Sequence, residues 1–272
     1  IVNHTVTRHF FPCKSDPDGQ MAEFSKVLEV DESAFGVVPP PAPHNKLNPV
    51  VRETVQDRVY KELRQALIYG LFDPGQVLII QDLAASLQVS TMPVRDALSR
   101  LISEQALEAL PNRSVRVPPI DLKRLDDLLQ ARIVIEGAAL ELAVARISDA
   151  EIEELQPLIG RYDEAIARRD SYPIEQELEL NKRFHFQIYQ HSGSDVLFPI
   201  IESLWLQSGP YVRAAVLKFD PASEISALHY HRDILTAMKV RDAAAAEQAL
   251  ASDISRAFAL LRDAPILEAD PP

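Results

Sequence analysis

Val-Ser-Thr-Met-Pro-Val-Arg-Asp-Ala-Leu-Ser-Arg-Leu, residues 89–101, reads as a short helix that begins on a polar cap and carries two arginines off its apolar side. Ser90 is expected to be the N-cap, its hydroxyl accepting from the amide of Met92. Pro93 is tolerated in the first turn, where its missing N–H would have no intrahelical partner. At about 100° per residue, Thr91, Arg95 and Ser99 fall along one outward face, whereas Ala97, Leu98 and Leu101 turn inward. Arg100 lies about 140° around from Arg95. One arginine is then placed for base edges, where its fork of donors matches guanine O6 and N7, and the other for a phosphate.

Two arginines alone fit the solvated face of any amphipathic helix. The elements around them decide the reading. Val55, Val59, Leu63 and Leu67 recur every four residues, giving a first helix that stops near Gly70, ahead of the turn Asp73-Pro74-Gly75. A second short helix follows Ile80, with Leu83, Ala84 and Leu87 inward. After residue 101, alternating runs over 106–110 and 114–117 face each other across Pro111-Asn112-Arg113, as in a hairpin. Three helices and a hairpin over 49–119 specify a winged helix-turn-helix.

The rest of the chain is mainly α. Glycine is scarce, 8 in 272 residues, and residues 120–264 carry almost only helical signals. Ser148-Asp149-Ala150-Glu151 is a capping box, and Ser194, Ser223-Glu224 and Asp242 mark further helix starts. Six to seven helices with short joints make an all-helical bundle. Residues 1–48 lack periodicity and end in a proline-rich extended linker; the sequence opens on Ile1, Met21 is a candidate start, and this tail is set aside from fold reasoning. Residues 265–272 form a second tail. No apolar run reaches the roughly 18–20 residues that cross a bilayer, and Cys13 stands alone, so a soluble, cytoplasmic protein is expected.

The net charge of −12 argues against a polyanion partner until it is divided along the chain. Four Lys/Arg stand against six Asp/Glu over 1–48, eight against eight over 49–119, and sixteen against twenty-six over 120–272. The segment with the winged-helix pattern is neutral, and the potential at the contact matters more than charge on a remote domain.

Residues 55–119 resemble the DNA-binding domain of GntR-family bacterial regulators. The family motif Leu-Ala-Glu-Arg-Leu-Gly-Val-Ser-Arg-Thr-Pro-Val-Arg-Glu-Ala-Leu stands here as Leu83–Leu98, and Pro111–Val117 matches the wing. The resemblance implies operator binding through Gln81, Ser90, Thr91, Arg95, Arg100, Arg113 and Arg116. It also exposes departures. Thr91 replaces the arginine after the capping serine, Gln81 replaces a second-helix arginine, and Gln88, Gln105 and Ser114 replace glycines. Gln81 is suited to adenine and Thr91 to a thymine methyl or a phosphate, so a changed operator is expected.

Asn181 and His185, one turn apart, share a helix face, a spacing that lets two side chains hold one ion; His231 and Asp253 lie on later helices. By themselves such residues are more often surface or hydrogen-bonded groups, and His4, His9, His44, His191 and His229 are read that way. Residues 121–263 resemble the FCD-type effector domain of the FadR subfamily, with Ala131-Arg132 through Ala139 in its first helix. Many members bind a divalent ion through an aspartate, a histidine four residues on and two later histidines, which map onto Asn181, His185, His231 and Asp253. Two imidazoles, a carboxylate and an amide oxygen suit Zn²⁺, Ni²⁺ or Mn²⁺, with the amide the poorer donor. The resemblance also makes Arg132 a ligand-facing residue. Arg213 is a second candidate, and either can instead pair with Glu136 or Glu202.

The reading that follows is a DNA-binding transcriptional regulator acting as a homodimer on a palindromic operator in double-stranded DNA. It would respond to a small organic acid bound near a divalent metal in the helical domain, without a membrane partner. The alternatives are a metal-dependent hydrolase or lyase in the helical domain, for which no catalytic motif is found, and a regulator whose effector site has lost its metal.

Overall fold

Thr54 opens helix α1 (Val55–Ile68) by accepting from the amide of Asp57 at 3.1 Å, and Val59, Leu63 and Leu67 behind it are buried. Val55, expected on the same stripe, is 55% exposed because the first turn overhangs the core. The structure is a computed structural model that describes residues 53–111, 114–168, 173–219 and 226–262. Both tails, Arg113 and the helix start at Ser223-Glu224 lie outside these residues.

Helix α2 (Ile80–Ser86) and helix α3 (Thr91–Ser103) pack with α1 into a three-helix head. Val94, Ala97, Leu98 and Leu101 fill its centre. Strands β2 (Glu108–Ala109) and β3 (Val115–Arg116) form the expected antiparallel hairpin. A third strand, β1 (Val77–Leu78), pairs with the other edge of β3, giving the order β1-β3-β2. Two residues are too few for a period to show, which is why the sequence does not announce β1. Ser90 holds N-cap backbone angles, φ −73° and ψ 165°, yet its side chain makes no cap hydrogen bond, contrary to expectation. Ser90 is exposed, so water can satisfy the first-turn amides and the hydroxyl is left without a helix partner.

Four helices end in the same way. After α1, α2, α3 and α8 (Ala227–Lys239), a residue in left-handed conformation donates to the carbonyl three back, and its successor to the carbonyl five back. Those residues are Gly70, Gln88, Gln105 and Arg241, with φ between 55° and 63°. Gln88 and Gln105, which the resemblance sets where the family has glycine, hold a backbone conformation that glycine adopts without strain. They and Arg241 are exposed; Gly70 is buried, and a Cβ there would meet Arg213 Cβ at 2.5 Å and the Gly209 carbonyl at 2.7 Å.

The second half is a bundle of α4 (Leu122–Arg146), α5 (Asp149–Ala167), α6 (Ile174–Gln190), α7 (Leu197–Lys218), α8 and α9 (Ala243–Arg262). Its capping box at Ser148 and Glu151 closes with both hydrogen bonds. Ser194 Oγ accepts from Leu197 N at 3.1 Å, and Asp242 caps α9 through Ala245 N at 3.0 Å. No helix among the described residues is long and apolar enough to cross a membrane.

Helix α7 belongs to both halves. Leu206 completes the core of the head, and Gly209 lies so close to the end of α1 that a Cβ would sit 2.1 Å from the carbonyl oxygen of Leu67. The Tyr211 hydroxyl shares its one proton between the Pro118 and Pro119 carbonyls, 3.2 and 3.3 Å away, fastening the connecting segment.

The left-handed side chain at residue 88 generates a prediction. Gln88→Gly is expected to stabilise the protein by about 0.5–1 kcal/mol, the strain of a β-carbon in this region less the extra chain entropy of glycine. Thermal melts should show a rise of about 2 °C.

Candidate metal centre and nucleic-acid interface

Asn181, His185 and Tyr189 follow one another at four-residue intervals on α6, and Arg132 and Glu136 do the same on α4, so each helix turns a polar stripe into the bundle. His231 enters from α8 and Asp253 from α9. His185 Nε2 lies 3.1 Å from Asp253 Oδ2 and 3.1 Å from His231 Nε2, and His231 Nε2 is 3.6 Å from the same carboxylate oxygen. All three residues are buried, with ligand atoms within 4.8 Å of one another. Asn181 lines the same cavity, a narrow space of about 20 Å³ that Arg132, Tyr162 and Arg256 also border.

The donor set fits a divalent ion. Asp253 Oδ1 is buried with no hydrogen-bond partner among the described residues, an expensive condition for a carboxylate that a cation would relieve. Burial holds the His231 imidazole below its ordinary pKa and therefore neutral. Burial alone would raise Asp253, but hydrogen bonds from the two histidines keep it well below the usual carboxylate range. Neutral imidazole and ionised carboxylate are the forms that bind metal. Aromatic neighbours fix the rings: His231 stacks on Phe184 at 4.4 Å, and His185 lies 5.6 Å from Trp205.

Beside the histidines runs a second buried group. Arg132 Nε donates to Glu136 Oε1 at 2.6 Å, with further bonds of 3.4 Å to Glu136 Oε2 and Ser208 Oγ, and its guanidinium lies 4.6 Å above Trp205. Burial would lower the Arg132 pKa, but the Glu136 carboxylate more than offsets this and holds it raised. Tyr189 Oη donates to Glu136 Oε2 at 2.5 Å and sits 3.3 Å from His185 Nδ1. Arg132 is thus in the cavity wall but already paired. Arg213 lies elsewhere: it bridges Asp73 at 3.3 Å and Glu175 at 3.9 Å, beside the head, while Glu202 is taken by Arg64 at 3.5 Å.

Tyr189 and Arg256 were not singled out from the sequence. Continuing the four-residue step from Asn181 through His185 reaches Tyr189, and Arg256 follows Asp253 at helical spacing of three. Arg256 is half-buried, and its Nε has no hydrogen-bond partner among the described residues.

On the head, Gln81, Ser90, Thr91 and Arg95 are exposed, and Arg95 makes no hydrogen bond or ion pair with any described residue. Arg100 is differently placed. Its guanidinium stacks 3.6 Å over the Tyr60 ring and bonds to Asp57 at 3.4 Å, tying α3 to α1. Arg116 pairs with Glu108, its Nε 2.6 Å from Oε1, across the β2–β3 register.

Two family models match the chain: bacterial regulatory proteins of the gntR family over residues 55–117, and the FCD domain over 127–256. The HTH-type transcriptional regulator McbR of Escherichia coli K12 is 31% identical over 204 residues, covering 75% of this chain and 91% of McbR. The HTH-type transcriptional repressor RspR of the same organism is 26% identical over 206 residues, covering 75% of this chain and 87% of RspR. The solved structure of E. coli McbR/YncC superposes with a TM-score of 0.69 at 29% identity, over 78% of this chain and 98% of that one.

The buried ion pair yields a prediction of its own. Glu136→Ala leaves the Arg132 charge buried without its counter-ion and should lower stability by about 3–5 kcal/mol in denaturant titrations.

Proposed function

The chain belongs to the GntR family of bacterial regulatory proteins, with an FCD domain behind its DNA-binding head, and from that premise we propose how it recognises DNA and what it senses. It is a transcriptional regulator and not an enzyme, as its named relatives are. It works in the cytoplasm as a homodimer on a palindromic operator, α3 of each copy lying in a major groove. The unpaired, exposed Arg95 is the observation that carries this reading. Arg95 meets base edges; Gln81 and Thr91 read or support neighbouring positions, and the Ser90 hydroxyl with the α3 N-terminus takes a phosphate. Arg100, Arg113 and Arg116 serve the backbone, with Arg100 and Arg116 pre-set by their acidic partners.

The effector domain holds a divalent ion, Zn²⁺, Ni²⁺ or Mn²⁺, on His185, His231 and Asp253, with the Asn181 amide nearby. A bound ion supplies a Lewis-acidic point of attachment for a carboxylate oxygen. A small organic acid is the proposed effector, its carboxylate shared with a guanidinium. Arg132 serves only by exchanging Glu136 for the effector. The half-buried Arg256, with its free Nε, needs no such exchange. The cavity of about 20 Å³ holds little more than a water, so an acid enters with movement of the walls. That movement supports regulation, since an effector shifts only an equilibrium between states it binds unequally.

Selection of bound duplexes from a random pool tests the DNA assignment. Symmetric half-sites are expected, and enrichment of no common sequence would end it. Arg95→Ala should weaken binding to the selected site by about 1–3 kcal/mol and relax preference at one base pair per half-site. Elemental analysis should find one ion per chain, absent from a His185→Ala, His231→Ala double variant. Ion-loaded protein should then change operator affinity when small carboxylates are added.

A further inference from the structure

We propose that Met92 is a specificity-determining residue for the operator: its side chain reads the 5-methyl group of a thymine in each half-site. The inference rests on the placement of α3 in the major groove and adds an apolar residue to a set of DNA contacts that is otherwise polar.

Among the large apolar side chains of α3, Val94, Leu98 and Leu101 fill the core of the head and Ile102 packs against it. Met92 alone stays outside, 63% exposed in the first turn. Single exposed apolar residues are common on protein surfaces, and this one is set apart by where it points. At about 100° per residue, Val94, Ala97, Leu98 and Leu101 span an arc of about 100°, and Met92 lies about 170° from its middle. Within the first two turns no residue points more directly away from the core. Arg95 lies about 60° to one side of Met92. When a helix lies in the major groove, its N-terminal residues are the ones that reach base edges.

The chemistry of the side chain then selects its target. A thioether has no proton to donate and accepts only weakly, so it cannot read the donors and acceptors that line the groove. The one apolar group presented there is the thymine 5-methyl. Three rotatable bonds and a polarizable sulfur let methionine reach that methyl and settle against it. Thr91 also carries a methyl, but it sits only about 70° from the middle of the buried arc, on the flank of the helix. Three residues of helix rise about 4.5 Å, close to the base-pair step of about 3.4 Å, so Met92 and Arg95 reach neighbouring pairs. A guanidinium marking a guanine beside a thioether marking a thymine gives each half-site a polar and an apolar letter.

The test uses full-length wild type, Met92→Ala and Thr91→Ala on the operator selected from random duplexes, with deoxyuridine replacing each thymine in turn in both half-sites. Deoxyuridine lacks the 5-methyl and keeps every hydrogen-bonding group. At one position the wild type should bind about 4-fold more weakly for each methyl lost, about 15-fold for the symmetric pair. Met92→Ala should bind the thymine operator more weakly by a similar factor and lose nothing further with deoxyuridine. It should melt as the wild type does, because the side chain stands outside the core. Thr91→Ala, whatever its own affinity, should keep the deoxyuridine penalty. A Met92→Ala protein that retains the full penalty overturns the inference, as does a penalty that vanishes in Thr91→Ala instead. If the wild type enriches no common sequence, the placement of α3 fails and Met92 falls with it. A defined operator with no methyl-sensitive position removes the Met92 assignment and leaves that placement standing.

Discussion

The effector half depends on one buried salt bridge, Arg132 to Glu136. Placing two charges inside a helical bundle costs several kcal/mol of hydration for each, roughly, and their attraction offsets this only if the remaining donors and acceptors are also satisfied. Here Ser208 and the Trp205 ring attend the guanidinium, and Tyr189 attends the carboxylate. Each of those partners sits on a different helix from the pair itself. The ion pair therefore dictates which faces of α4, α6 and α7 meet, and by fixing Tyr189 it brings the histidine one turn before it into register with His231 and Asp253.

The DNA-binding head was the more legible half. Its decisive signals are local: an apolar period of four in α1, a proline in the first turn of α3, a turn-forming triplet, and alternation in the wing. What escaped was what locality does not carry. β1 is two residues long and exists because β3 has a free edge. Ser90 has cap backbone but no cap bond, because water reaches the exposed first turn. The arginines could be counted but their partners could not: Arg100 is bound by Tyr60 and by Asp57, the latter 43 residues away.

In the helical half, the spacing of Asn181 and His185 was visible, whereas their meeting with His231 and Asp253 came only through resemblance, because it joins three helices. Tyr189 lay on the same stripe but has no ligand chemistry, so nothing in its residue type drew notice. Arg213 shows the opposite limit. It looks like a ligand arginine in sequence, but the helix turns it toward Asp73 and Glu175. Helical phase separates it from Ser208 and Trp205, which meet Arg132 and His185 from the same helix.

Helix α7 touches both halves through atoms that cannot be adjusted. Where side chains meet, a mismatch can be absorbed by another rotamer; where the Gly209 backbone lies against the Leu67 carbonyl and Gly70 lies under Arg213, none is available. The two halves are consequently not interchangeable parts. A chimera that grafted a foreign winged helix onto this bundle would need glycine at the end of its own first helix, and a bundle receiving this head would need glycine in the seventh helix of the combined chain. The reading frame for swapping specificities between such regulators is set by that pair of hydrogens in place of side chains, well away from any residue that touches DNA or ligand.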